Sequence, residues 1–248
     1  MNIGFEGFEE EAGQLLGYVV EDLYDKILVD EIAAQYSLTY STTIIEAQNW
    51  NAQWESNFQP VIIDGFCTIR AAFHMLDVQT PYQVLITPKM SFGTGHHATT
   101  QLMLMQTRDI DLTQKKVLDF GTGTGILAIM AEQLGAKSVL AIDTDEWSYE
   151  NAKENVIQNN CNRIYVVQST LLDDGEQYDI ILANINRHIL LENMQLLYKK
   201  TVDGGKAIMS GLMHADENII VEAARNEGFQ LFNVQKLGDW MLLAFDKN

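Results

Sequence analysis

The pattern of apolar and polar positions divides the chain into two parts. From Lys115 onward, short apolar runs alternate with amphipathic stretches of helical period. Strict alternation of this kind favours right-handed crossovers, and so a parallel sheet with helices on both faces. The predicted strands are 117–120, 138–143, 163–168, 178–183, 206–210, 230–234 and 240–245, and the predicted helices are 126–134, 145–159, 187–198 and 215–227.

The last two predicted strands differ from the others in how they are connected. Only residues 235–239 separate them, which is too short for a crossover between parallel strands. We therefore expect an antiparallel hairpin at the edge of the sheet. Such an ending distinguishes the fold from a pure dinucleotide-binding domain.

The first part of the chain has a different organisation. Residues 25–36 have a helical apolar stripe, with strand-like segments at 14–20 and 42–47. A stretch rich in Asn, Gln and Trp then runs to Pro60, followed by short strand-like segments near 61–63, 67–70 and 83–86. These patterns predict a small α+β domain over 1–48, a connector over 49–80 and the main domain over 81–248.

Charge and composition narrow the class of protein. The formal net charge is −18, and residues 1–31 contain nine acidic side chains against Lys26 alone. This balance opposes direct binding to nucleic acid, and it fits either a solvated surface or one that attracts a basic protein. Long apolar runs and a basic leader are both missing from the sequence, so we expect a cytoplasmic protein that does not bind membranes.

The main chemical signal is the segment VLDFGTGTGIL, in which a strand ends and a helix begins. Gly121, Gly123 and Gly125 permit positive φ and bring backbone N–H groups close to a ligand. A dinucleotide fingerprint needs a further glycine where Ile126 stands. The pattern therefore favours a smaller nucleoside ligand, and it disfavours a nicotinamide-dependent oxidoreductase.

Two polar residues end the second and the fourth predicted strands of the main domain. Asp143 ends the strand after the glycine segment, where a carboxylate accepts hydrogen bonds from ribose hydroxyls, while Asp145 is placed to cap the next helix. Asn184 ends the fourth strand, where its amide can both accept and donate without adding charge. Asn186 is the better candidate for capping the helix that follows.

The segment MSFGTGHHATT, over 90–100, predicts a glycine-containing loop that folds over a pocket and leads into a helix at Thr99 and Thr100. His96 and His97 suggest a metal site. Adjacent histidines point apart, however, and no third ligand stands at a recognised spacing. We therefore predict no metal.

Several of these blocks together resemble one enzyme family. The segments WNAQWESNFQP, MSFGTGHHATT, VLDFGTGTGILAI, AIDTDEW and ILANINRHIL stand in the order and spacing of the ribosomal protein L11 methyltransferase family. The resemblance implies a seven-strand, Rossmann-like α/β methyltransferase fold with a small N-terminal α+β domain. It also implies S-adenosyl-L-methionine as cofactor and N-methylation of lysine side chains, of an α-amine, or of both, on the basic protein L11.

The resemblance also assigns candidate site residues. The family's cofactor contacts fall on Thr100, Gly121, Asp143 and Asn184, and loop geometry adds Gly123 and Gly125. Asn184 is the predicted catalytic residue, since its side-chain or backbone carbonyl can orient the amine. Ile185 and Asn186 replace the prolines of the Asn-Pro-Pro-Tyr-type motif of other amine methyltransferases.

The N-terminal part departs from the family pattern. The family's substrate-recognition domain opens with a strand and a helix, whereas MNIGFEGF resembles the segment after that helix. We therefore expect an incomplete substrate domain. The alternatives are a methyltransferase of the same fold that acts on another protein or a small amine, and a cofactor-binding module without turnover.

Overall fold

The computed structural model describes residues 5–11, 14–20, 23–43, 58–77, 79–169 and 175–248. The chain divides into two compact units, Met1–Gln53 and Trp54–Asn248. No helix within the described ranges is long and apolar enough to span a lipid bilayer.

The first unit contains a hairpin and a helix. Strands β1 (Phe5–Glu11) and β2 (Gln14–Val19) pair antiparallel, and helix α1 spans Lys26–Tyr36. The carboxylate of Asp25 caps α1 by accepting from the backbone N–H groups of Ile27 and Leu28. The predicted helix 25–36 and strand 14–20 are confirmed, whereas β1 was not predicted.

The predicted strand over 42–47 is not seen where it can be checked. Residues 42–43 have no regular secondary structure, and residues 44–47 lie outside the described residues. The predicted connector 49–80 is also described only in part, from residue 58 onward.

The second unit is built on a seven-stranded sheet. Its order is β11–β12–β10–β9–β6–β7–β8, in which β6 to β10 run parallel and the β11–β12 hairpin runs antiparallel at the edge. Both the parallel sheet and the hairpin ending are confirmed. The strands are β6 (Lys116–Phe120), β7 (Ser138–Asp143), β8 (Ile164–Gln168), β9 (Tyr178–Asn184), β10 (Thr201–Met213), β11 (Phe229–Leu237) and β12 (Trp240–Lys247).

Helices pack on both faces of this sheet because successive strand residues point to opposite sides. In β6, Val117 belongs to one buried cluster and Leu118 to the other. Two of the helices, α5 and α6, line the second cluster, and the other three line the first. The helices are α2 (Ala98–Arg108), α3 (Ile126–Gln133), α4 (Glu146–Gln158), α5 (Arg187–Lys200) and α6 (Glu217–Glu227).

A smaller sheet packs into the first cluster. It consists of β3 (Val61–Ile63), β4 (Cys67–Arg70) and β5 (Tyr82–Leu85), in the order β3–β4–β5. Ile69 and Val84 are fully buried there. The described part of the predicted connector is therefore packed in the core of the large unit, and the domain boundaries themselves stay a prediction.

Three asparagines on one face of α4 join this small sheet to the large one. They stand four residues apart, so that all three side chains face the same way. Asn159 donates to and accepts from the backbone of Leu85, at 2.6 and 2.8 Å. Asn155 accepts from Thr87 N, and Asn151 donates to Thr87 O. We call Asn151, Asn155 and Asn159 the asparagine ladder; it holds the segment that leads from β5 into the 86–97 loop.

The central member of the ladder is a sensitive position for stability. Asn155 is fully buried, and its amide also donates to Thr124 O at 2.8 Å. Asn155→Leu would leave Thr87 N and Thr124 O buried without partners, so we expect a loss of about 2 to 4 kcal/mol in the free energy of unfolding. Urea denaturation of the variant and of the parent protein measures this loss.

The matched control is Asn193→Leu on α5, where the amide donates only to Ile189 O of its own helix. We expect this variant to change the free energy of unfolding by no more than about 0.5 kcal/mol. Equal losses in the two variants would contradict the role of the asparagine ladder.

Candidate functional site

The predicted site residues meet at one edge of the large sheet. Parallel strands all end at the same edge, and β6 lies between β7 and β9. The loop 121–125 follows β6, Asp143 is the last residue of β7, and Asn184 is the last residue of β9. The structure therefore brings together the glycine loop, Asp143 and Asn184 at the carboxyl edge.

The three glycines of the loop are required by their neighbours within the protein. All have positive φ: +79° at Gly121, +57° at Gly123 and +82° at Gly125. A Cβ at Gly123 would collide with the backbone oxygen of Phe92, and one at Gly121 would collide with the side chain of Ile185. Close packing of other loops therefore restricts these positions to glycine, before any ligand is considered.

The loop over 86–97 packs against the glycine loop. Thr124 N donates to Phe92 O at 2.9 Å, and the Thr124 hydroxyl donates to Gly93 O at 2.6 Å. On the outer side, Lys89 forms an ion pair with Glu154 of α4. The two loops are thus joined by buried hydrogen bonds to backbone carbonyls.

Asp143 is half-buried and holds the glycine loop from the other side. Its Oδ2 accepts from Gly123 N at 2.9 Å, and its Oδ1 accepts from Asp145 N at 3.1 Å. Each carboxylate oxygen keeps a lone pair for a further donor. Asp145 caps α4 by accepting from Ser148 N, as predicted, whereas the ribose-binding role of Asp143 stays a prediction.

Asn184 faces helix α2. Its amide nitrogen lies 3.5 Å from the hydroxyl oxygen of the fully buried Thr100, at the outer limit of a hydrogen bond. Its Oδ1 is enclosed and has no partner among the described residues. A buried acceptor without a partner costs about 1 to 3 kcal/mol, which marks this amide as a site for an incoming donor. Asn186 stands at the N-cap of α5 as predicted, but its side chain makes no capping hydrogen bond.

Asp119, the aspartate of the VLDFGTGTGIL segment, has an unusual environment in the structure. It is fully buried, and its Oδ2 accepts from the Thr122 hydroxyl at 2.6 Å and from Ala128 N at 3.2 Å. Burial raises the pKa of its carboxyl to about 7; the two hydrogen bonds oppose the rise and the charge of Asp143 adds to it.

The two adjacent histidines have separate surroundings. His97 caps α2 by accepting from Thr99 N, and its ring lies edge-on to Phe92 and Trp240. His96 contacts Thr94 and the ring of Phe58. Within the residues that the structure describes, no group of three or more His, Cys, Asp or Glu is arranged to hold a metal ion.

The sequence did not indicate Thr124 or Trp240 as site residues. The role of Thr124 depends on contacts with a loop thirty residues earlier, which no local pattern reveals. The position of Trp240 follows from the predicted topology. Because the last two strands form an antiparallel hairpin, the first residue of β12 must lie at the carboxyl edge, beside the ends of the parallel strands.

Comparison with known proteins agrees with this geometry. The family model described as "Ribosomal protein L11 methyltransferase" matches residues 8–248. The chain belongs to this family. Relatives of that name from Porphyromonas gingivalis and Phocaeicola vulgatus are 40% and 38% identical to it; the alignments cover 98% of this chain and 87% and 89% of the relatives.

A solved structure of a relative supports the same assignment. The ribosomal protein L11 methylase from Lactobacillus delbrueckii subsp. bulgaricus matches with a TM-score of 0.70 and 31% identity, over 76% of this chain and 98% of that one. The chain is therefore an S-adenosylmethionine-dependent methyltransferase with the seven-strand fold. The predicted family, fold class, enzyme class and cofactor are confirmed, and the individual site residues stay predictions.

The residues of the carboxyl edge fit this cofactor. Asp143 has lone pairs free for ribose hydroxyls, next to a glycine loop whose backbone is held in place from two sides. Asn184 adds an enclosed amide oxygen that lacks a partner in the described ranges. These oxygen acceptors suit a ligand rich in hydroxyl and amino donors.

The collision at Gly123 gives a test of the loop packing. Gly123→Ala combines a left-handed backbone with a clash against Phe92 O, whereas Gly204→Ala has the same backbone strain, at φ +78°, with open space around the Cβ. We expect Gly204→Ala to cost about 1 to 2 kcal/mol of unfolding free energy. Gly123→Ala should cost about 1 to 3 kcal/mol more, because the loops must separate. Equal midpoints in urea denaturation would refute the packing argument.

The raised pKa of Asp119 predicts a pH dependence of stability. Between about pH 4 and pH 7 the folded state keeps a proton on Asp119 that the unfolded chain has released. The free energy of unfolding should therefore fall as pH rises through this window. Asp119→Asn removes the titration, so its stability relative to the parent protein should increase from pH 5 to pH 7.5 and then level off. Thermal unfolding of both proteins without cofactor, over this pH range, measures the difference in stability. A difference that does not change with pH would contradict the prediction.

Proposed function

We propose that this enzyme transfers methyl groups from S-adenosylmethionine to amines of ribosomal protein L11, on lysine side chains, the α-amine or both. Family membership and the names of the relatives support L11 as the substrate. The observation that carries the amine chemistry is Asn184, a neutral amide at the carboxyl edge whose enclosed oxygen has no donor among the described residues.

The carboxyl edge would hold the cofactor. Asp143 would bind the ribose hydroxyls, and the glycine loop with Gly121, Gly123 and Gly125 would bind the amino-acid part. Thr100 and Asn184, whose side chains face each other at this edge, would complete the contacts to the cofactor. The bound cofactor supplies a methyl group already activated by the sulfonium charge.

The protein's main task is to align the amine and exclude water. A lysine amine has a pKa of ~10.4 and an α-amine of ~8, so the nucleophile must first lose a proton. Proximity to the sulfonium and partial desolvation both lower the amine pKa. Asn184 then orients the amine through its side-chain or backbone carbonyl, and the proton leaves to water. The side-chain route requires the amide to rotate, because Oδ1 is enclosed.

The net charge of −18 supports a basic protein partner and opposes direct contact with nucleic acid. The acidic segment over 1–31 suits the same partner, and the proposal assigns substrate recognition to residues 1–48. Modification of a ribosomal protein places the enzyme in the cytoplasm, away from membranes.

Two substitutions separate the role of Asn184 from that of Asp143. Asn184→Ala removes amine orientation, so we expect turnover to fall on the order of 10²-fold with little change in cofactor affinity. Asp143→Ala removes charge-assisted hydrogen bonds to the ribose, so cofactor affinity should fall about 10- to 100-fold. Calorimetric titration and turnover at saturating cofactor measure the two effects.

Asn186→Ala is the matched control, because Asn186 is exposed and its side chain makes no capping bond. It should leave both quantities unchanged. An Asn184→Ala enzyme with normal turnover at saturating cofactor would refute the orienting role.

The substrate is tested with radiolabelled methyl transfer to purified L11, beside other basic proteins and small amines. Transfer to L11 alone is the expected result. Transfer to another acceptor in preference to L11 would assign a different substrate, and cofactor binding without transfer to any acceptor would indicate a binding module.

A further inference from the structure

Three aromatic rings form a continuous row at the carboxyl edge. The rings of Phe92 and His97 have centroids 5.2 Å apart at 65°, and those of His97 and Trp240 lie 4.5 Å apart at 67°. Both pairs are therefore T-shaped, a favoured geometry for aromatic pairs. We call Phe92, His97 and Trp240 the aromatic row.

The contacts of the aromatic row tie it to the site. His97 caps α2, and the third residue of that helix, Thr100, faces the amide of Asn184. Trp240 begins β12 opposite Met213 of β10, the strand whose Ser210 is paired with Asn184.

At its other end, the row meets the glycine loop. The backbone oxygen of Phe92 accepts from Thr124 N, so the position of this ring follows that of the loop. The row thus extends from the glycine loop to the strand beside Asn184.

The exposure of Phe92, at one end of the aromatic row, does not fit a purely structural role. Phe92 is 51% exposed although its backbone is fixed by hydrogen bonds, and the neighbouring Met90 is 95% exposed. A large apolar ring held half in water beside a polar site is typical of a surface that binds a ligand. Aromatic faces attract apolar chains and, through their quadrupole, cations within about 6 Å.

We propose that the aromatic row binds the methyl groups already present on the acceptor ammonium, and so keeps the acceptor in the site between the first transfer and the later ones. This inference rests on the proposed amine methylation. In each transfer the nitrogen lone pair forms the new N–C bond while the C–S bond breaks and the sulfur keeps its electron pair. A proton leaves the nitrogen to water before the next transfer.

Asn184 and the aromatic row should contribute to different methyl transfers, because methylation changes how the acceptor nitrogen interacts. Every methyl group added replaces an N–H donor, so the acceptor loses hydrogen bonds to Asn184 as methylation proceeds. It gains apolar surface and disperses its charge over methyl groups, which favours contact with aromatic faces. Loss of Asn184 should therefore affect the first transfer most, and loss of the row the later ones.

The first test measures binding without turnover. NMR titrations compare the amides of lysine, trimethyllysine and the neutral analogue in which carbon replaces the trimethylated nitrogen. The parent protein should bind trimethyllysine amide most tightly, and Phe92→Leu should weaken that binding about three- to ten-fold. Phe92→Tyr, which keeps the ring, should restore it. Equal affinity of parent and Phe92→Leu for trimethyllysine amide would overturn the proposal.

The matched control is Phe232→Leu, since Phe232 is 41% exposed on β11 and stacks under Lys206. It should bind all three amides as the parent protein does. Calorimetric titration with S-adenosylmethionine should give the same affinity for every variant, which establishes that the site is intact.

The second test follows the products of methyl transfer by mass spectrometry. Phe92→Leu should lower the rates of the second and third transfers more than the rate of the first, so that acceptor with one methyl group accumulates. An unchanged product distribution, or a parent enzyme that stops after one methyl group, would contradict the role of the row. Absence of transfer by the parent enzyme would refute the proposed function instead. The NMR titrations would then still show whether the aromatic row binds trimethyllysine amide.

Discussion

The site depends on the bonding of one buried residue, Thr124. Its backbone N–H and its hydroxyl donate to two carbonyls of the 86–97 loop, and its own carbonyl accepts from Asn155. Thr124 is fully buried, so none of these groups has water as an alternative partner. The glycine loop, the covering loop and helix α4 therefore adopt their positions together. The left-handed glycines on either side of Thr124 make this close approach sterically possible.

The topology of the sheet decides which residues can join this assembly. Parallel strands bring Asp143 and Asn184 to the edge by their carboxyl ends, whereas the antiparallel β12 brings Trp240 there by its amino end. The hairpin thus does more than complete the sheet. It supplies an aromatic side chain at an edge where the parallel strands supply polar ones, and the site combines both kinds of surface.

Local pattern was enough for most of the fold and for the polar part of the site. Strand ends locate Asp143 and Asn184, because an apolar run that stops at a polar residue marks the edge of a sheet. Strand β10 was predicted too short, over 206–210, because Asp203, Gly204 and Gly205 have the composition of a turn, yet the strand runs from Thr201 to Met213. Strand β1 was missed because the segment FEGFEEE has only two apolar side chains and ends in three consecutive glutamates. The bonds of Thr124 and the aromatic row join segments far apart in the chain, and periodicity contains no information about such pairs.

The asparagine ladder has a consequence for association between molecules. The strand β5 pairs with β4 on one side, and on its other side the backbone groups of Leu85 and of Thr87 just beyond it bond to Asn151, Asn155 and Asn159. An asparagine amide offers one donor and one acceptor group, as a peptide group does, so these side chains take the place of a neighbouring strand. An exposed strand edge is a template for pairing with another chain. Helix α4 closes this edge with side chains alone, and so protects the small sheet from intermolecular strand addition.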